Sequence, residues 1–142
     1  MCLTVQEQEK TAFRGLPPMS QGDAGLLCRL ILMQVLPALV ECDLPRFGNG
    51  IAEIQQIVGG HFAGAQGGLF ASPRVGAALH WLEKHGAVGI GQTSWGPSGF
   101  ALTGSQADAD RLLSELAVTS HATGLLLSIH HPSNRGALIE AD

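Results

Sequence analysis

Residues 89–99 read GIGQTSWGPSG, with glycines at 89, 91, 96 and 99, hydroxyls at Thr93, Ser94 and Ser98, an amide at Gln92, and Trp95 and Pro97 among them. These residue types at this spacing suit the holding of an oxyanion. Closely spaced glycines let successive backbone N–H groups turn toward one anion. Thr93 and Ser94 add hydroxyl donors, Gln92 both donates and accepts, and Trp95 offers a flat face to a ring. The candidate binding set is Gly89, Gly91, Gln92, Thr93, Ser94, Trp95, Gly96 and Ser98. Two common fingerprints are excluded. A dinucleotide G-x-G-x-x-G needs glycine where Ser94 stands, and a P-loop needs lysine where Pro97 stands. An ordinary loop between two strands explains the same glycines, and spacing alone leaves both readings open.

Other candidates are weaker. A second glycine-rich stretch, GGHFAGAQGGLFA at 59–71, holds His61 and Gln66 and reads as a connecting loop or a second wall of a site. The six histidines form no H-x-x-x-H or H-E-x-x-H pattern, and adjacent His130 and His131 point to opposite faces if the segment is a strand. No metal ligand is assigned. The acids are spread out without an evident acid/base pair; Glu41 and Asp43 flank a helix junction and read as caps. The three cysteines, Cys2, Cys28 and Cys42, form no CxxC, which predicts free and mostly buried thiols in a reducing compartment. Arg135, beside Asn134 and Gly136, is either a phosphate contact or part of a solvated terminal turn. No catalytic residue is assigned.

Several elements would position the 89–99 loop. Residues 3–5 read as a short strand and 14–22 as a Pro/Gly loop. A helix is expected from about 23 to 41, apolar nearly all round and therefore enclosed, and bent at Pro37. Asp43 caps a second helix over 44–58, which carries Phe47, Ile51, Ile54 and Val58 on one face and is stopped by Gly59-Gly60. Ser72-Pro73 opens a third, with Val75, Leu79 and Leu82 as its buried stripe. Strands flank the loop. Ser105 to Asp108 resembles a capping box before a helix bearing Leu112, Leu113 and Leu116. Residues 124–130 read as a last strand. This order predicts α+β: an antiparallel sheet with helices on one face, in a single domain over 1–142.

Composition bounds the function classes. The 142 residues carry only 14% charged side chains, against roughly 25% in an average soluble domain. So low a charge suggests that another body covers part of the surface. Net charge is −4 with no Lys/Arg cluster, which argues against binding nucleic acid through phosphate neutralisation. The apolar run 24–40 is interrupted by Arg29, Gln34 and Pro37 and falls short of the ~20 residues of a span. No signal-peptide pattern opens the chain, so a cytoplasmic location is expected.

The segments LPALVECDLPRFGNGIAEIQ (36–55), QGG (66–68), the helix 73–85, GAVGIGQTSWGPSGFAL (86–102) and NRGA (134–137) together resemble the C-terminal half of the β-ribofuranosylaminobenzene 5′-phosphate synthases of the GHMP kinase superfamily. The most specific part is G-Q-T-S-W-G-P-S, where Thr93 and Ser98 exchange hydroxyl for hydroxyl with the family form G-Q-S-S-W-G-P-T. The resemblance implies a ferredoxin-like C-terminal domain whose glycine-rich loop lies near phosphates. It implies an enzyme joining 5-phosphoribosyl 1-pyrophosphate to an aminobenzoate or hydroxybenzoate acid, with release of pyrophosphate and carbon dioxide, in methanopterin biosynthesis. Mg2+ is expected on the pyrophosphate. The superfamily's N-terminal phosphate loop, of the form P-x-x-x-G-L-G-S-S-A-A, does not occur in residues 1–142. Either the sequence is a fragment, or a separate partner chain carrying that half, or a homodimer, completes it, and little activity is expected from this chain alone. An ATP-binding kinase relative and a non-catalytic dimerisation module are the alternatives.

Overall fold

The computed structural model describes residues 13–94, 96–132 and 136. The expected strand at 3–5, the tail residues Asn134 and Arg135, Cys2 and Trp95 lie outside them.

Helix α1 spans Gln21–Val40. Ser20 caps it, its Oγ accepting from the Asp23 N–H at 3.0 Å while donating to the Asp23 carboxylate. The helix widens into a π turn over Ile31–Val35, where the Leu36 N–H reaches back to the Ile31 carbonyl. Pro37 follows. It has no N–H for the carbonyl four residues earlier, that of Met33, and Arg46 supplies the missing donor, its Nη2 lying 3.2 Å from that oxygen. The helix is not enclosed as its composition suggested. Leu30, Val35 and Ala38 are buried, but Leu32, Met33, Leu39 and Val40 are more than half exposed. By length and composition only, α1 is long and apolar enough to cross a membrane, so the expectation that the run falls short of a span does not hold for the whole helix.

Helix α2 runs over Leu44–Gln66. Asp43 Oδ1 accepts from the Arg46 N–H at 3.0 Å, as its position before Leu-Pro predicted. The expected stop at Gly59-Gly60 does not occur. Helical glycine costs about 1 kcal/mol relative to alanine, and here close packing offsets that: a Cβ on Gly59 would stand 2.7 Å from Leu69. The second glycine-rich stretch is thus largely helix, and the chain turns only at Gly67, left-handed at φ 85°.

Helix α3, Pro73–Lys84, starts at the Ser72 cap. Strands β1, Val88–Gln92, and β2, Gly99–Leu102, pair antiparallel, with Gly91 opposite Phe100 and Gln92 opposite Gly99. A register irregularity falls between Val88 and Gly91, where Gly89 has φ 60°. β1 lies against α2 at Gly48, where a Cβ would come within 2.7 Å of Val88 Cβ. Phe70, Leu79 and Ile90 form the core, with Val75 and Leu82 against it as the α3 stripe predicted. Helix α4, Gln106–Ala117, is capped by Ser105 and buries Leu112 and Leu116.

The fold is α+β, as expected, with helices packed on an antiparallel hairpin. Among the described residues the sheet has two strands. Residues 124–130 are not a third. Their exposure alternates as a strand's would, with Leu126 98% exposed, but no ladder partner lies beside them.

Candidate functional site

The 93–98 loop closes the β1–β2 hairpin and is tied to itself. The Thr93 N–H donates to the Ser98 carbonyl at 2.9 Å, and Thr93 Oγ1 donates to the same oxygen at 3.2 Å. The Gly96 N–H donates to the Thr93 carbonyl at 2.8 Å. Ser94 and Gly96 both have positive φ, at 47° and 74°, and the Gly96–Pro97 peptide is cis.

Gln92 anchors this loop to the rest of the fold. Its Oε1 accepts from the Ala71 N–H at 2.7 Å, and its Nε2 donates to Gln66 Oε1 and to the Ser94 carbonyl, both at 3.2 Å. Its own N–H donates to Gln55 Oε1 at 3.0 Å. Gln66 Nε2 in turn donates to the carbonyls of Gly68 and Leu69 at 2.9 Å. Gln55 and Gln66 lie eleven residues apart on α2, close to three full turns and so on one face. Three glutamines thus join α2, the turn at 67–71 and the hairpin. A hydrogen-bonded amide network in a partly buried site is rigid because each unmade bond is costly.

The glycines have steric work. A Cβ on Gly91 would stand 2.5 Å from Phe100 Cζ, one on Gly96 2.8 Å from the Gln92 amide carbon, and one on Gly99 2.6 Å from Val75 Cγ1. Several N–H groups that the sequence offers to an anion already have partners: those of Gln92, Thr93 and Gly96. The Ser94 and Ser98 hydroxyls make no hydrogen bond among the described residues and sit on exposed positions. No basic or acidic side chain belongs to the loop.

The structure brings Gly91, Gln92, Thr93, Ser94, Gly96 and Ser98 together at the hairpin tip, with Gly89 in the irregularity below. Gln66, the possible second wall, is in contact with Gln92. Sequence reasoning missed Gln55, whose signal was only its eleven-residue spacing from Gln66. It also missed a cavity of about 360 Å³ lined by Arg74, Ala77, Ser120, His121 and Thr123, which shares no lining residue with the loop. His61 packs on Phe62, and His80 and His85 bond backbone carbonyls one turn back. Among the described residues no three His, Cys, Asp or Glu side chains converge as metal ligands. Cys28 and Cys42 are free but exposed, against expectation: Cys28 lies on the uncovered side of α1, and Cys42 in the turn after it.

A family model described as GHMP kinases C terminal matches residues 35–119, which include the loop and all three glutamines. The β-ribofuranosylphenol 5′-phosphate synthase of Archaeoglobus fulgidus is 34% identical over 110 residues, covering 71% of this chain and 29% of the relative. The protein of the same name from Methanothermobacter thermautotrophicus is 30% identical over 96 residues, covering 68% of this chain and 28% of the relative. The chain therefore spans under a third of the length of the curated relatives it matches. No solved structure matches it.

Proposed function

This chain belongs to the GHMP kinase C-terminal family, and we propose that it is the C-terminal part of a synthase joining phosphoribosyl pyrophosphate to an aminobenzoate or hydroxybenzoate acid in methanopterin biosynthesis. The observation that carries this reading is the matched segment itself. It contains a hairpin tip fixed by three glutamines that leaves two serine hydroxyls free for a ligand.

In that reaction the C1′–oxygen bond to pyrophosphate breaks. The ring carbon bearing the carboxylate bonds to C1′, and the electron pair of the departing carbon dioxide restores the ring. The loop's share is to bind. Ser94 and Ser98 donate to phosphate oxygens, aided by backbone N–H groups that have no partner within the hairpin. Gln92, Thr93, Gly89, Gly91 and Gly96 hold that surface in shape, and the role that the family resemblance gives Trp95 is to face a ring or close the pocket wall. Hydrogen bonds to charged groups contribute about 1.5–3 kcal/mol each. Two of them give at most about 6 kcal/mol, and an association cost of about 4 kcal/mol or more leaves no more than about 2 kcal/mol, so the loop by itself binds only weakly. The loop has no cation, so the remaining charge must be met elsewhere. Magnesium enters bound to the pyrophosphate, as part of the substrate, because it neutralises the charge that develops on the leaving group. The part of the synthase not represented here supplies the rest.

Calorimetric titration with magnesium phosphoribosyl pyrophosphate tests this. Weak saturable heat is expected, lost in Ser94→Ala/Ser98→Ala and in Trp95→Ala. Saturable heat with magnesium ATP but none with the phosphoribosyl compound would replace the synthase reading with a kinase one. Heat unchanged in every loop variant would remove the loop from the site.

A further inference from the structure

We propose that the outward apolar face of α1 is the docking face for the portion of a synthase that this chain lacks relative to its curated relatives. The proposal rests on the family reading above but not on its choice of substrate.

Two apolar stripes run along α1. The inner one, Leu30, Val35 and Ala38, is buried. Val35 seats over Gly50 of α2, where a Cβ would meet its Cγ2 at 2.7 Å. The outer one places Leu32, Leu36 and Leu39 at i, i+4 and i+7, with Leu26, Met33 and Val40 beside them at seven-residue steps. Their exposures run from 40% for Leu26 to 83% for Val40. A soluble domain rarely leaves so many large apolar side chains together in water, and such a patch rimmed by polar groups marks a contact with protein or membrane. The rim is present: the Arg46–Glu41 ion pair, at 2.9 Å and partly exposed, borders the C-terminal end.

The curated relatives share this domain and are each more than three times the length of their matched segment, so each carries a further portion large enough to cover the face. A second copy of this chain fits the face less well. A coiled-coil pairing of two copies needs a steady 3.5-residue seam, and the π turn at Ile31–Val35 with Pro37 after it breaks that step midway. Lipid fits less well too. The inner side is already packed on α2, and the Arg46 guanidinium sits at the Met33 carbonyl, well inside the apolar stretch.

The test mixes this chain with the unmatched portions of the Archaeoglobus and Methanothermobacter relatives and measures mass by light scattering after size exclusion. A one-to-one complex with at least one is expected, weakened at least tenfold by Leu36→Glu/Leu39→Glu. Circular dichroism and the melting temperature of that variant should match the parent, showing an intact fold. Absence of a complex with both, or a complex indifferent to the substitutions, overturns the proposal. So does a dimer of the chain alone, or binding to phosphatidylcholine–phosphatidylglycerol vesicles, that the same substitutions abolish. Because no phosphoribosyl ligand is used, failure of the substrate reading leaves this result standing, and the reverse holds.

Discussion

The hairpin end of the molecule and helix α1 treat their surfaces in opposite ways. Around the hairpin the packing is closed. Gly48, Gly91 and Gly99 are pressed against neighbouring side chains with no room for a methyl group, and the amides of Gln55, Gln66 and Gln92 bond between elements. Along α1 one side is equally well filled, while the other exposes leucines and valine to solvent. This contrast is the basis for the proposal that the outer face of α1 is half of an interface. The difference teaches that the loop is preorganised, which favours binding by lowering the ordering cost, whereas α1 is stable now only through its inner face.

Substitutions can break that contrast. The largest effect is expected at Gly48→Val, because the added atoms meet Val88 and the Gly89 backbone, which has no rotamer to escape into. Overpacking of this kind costs about 3 kcal/mol, or roughly 10 °C in melting temperature for a domain of this size, readable by calorimetry. Gln92→Leu comes next. It leaves the Ala71 N–H and the Gln66 Oε1 without partners, so a loss of about 2 kcal/mol is expected in urea unfolding. The third sharpens the comparison within one helix: Val35→Ala should cost about 1–2 kcal/mol, while Leu39→Glu on the outer stripe should stay within about 0.5 kcal/mol of the parent. Equal losses at the two positions would contradict the two-faced reading of α1. The smallest effect belongs to Glu41→Gln. Its partner Arg46 is partly exposed and also bonds the Met33 carbonyl, so a change of under about 1 kcal/mol is expected.

Much of this was legible in the chain. Ser72-Pro73, Ser105 to Asp108 and Asp43 each announced a helix start through a side chain that can satisfy an orphan N–H, and each does so. The 89–99 stretch was recognisable as a loop between strands. What could not be read depends on contacts between distant residues. Gly59-Gly60 looked like a stop because local propensity says so, and it is overridden by Leu69 packing against the helix. Residues 124–130 have the alternation of a strand, but a strand also needs a neighbour, and alternation carries no information about one. The α1 run looked like a core helix because composition cannot say whether the second apolar side meets this chain or another body. In the loop, glycine frequency suggested anion-binding backbone. The structure shows that several glycines are there to let Phe100, Gln92 and Val75 come close, and this distinction appears only in three dimensions.

The central claim is that the hairpin tip holds a phosphate group of the substrate. Its most direct test is a nitrogen-15-resolved nuclear magnetic resonance titration of the chain, together with the unmatched portion of the Archaeoglobus relative, with magnesium phosphoribosyl pyrophosphate. The account predicts saturable shifts centred on the amides of residues 93–98, absent in Ser94→Ala/Ser98→Ala. Saturable shifts confined to residues elsewhere, with 93–98 unmoved, would contradict it.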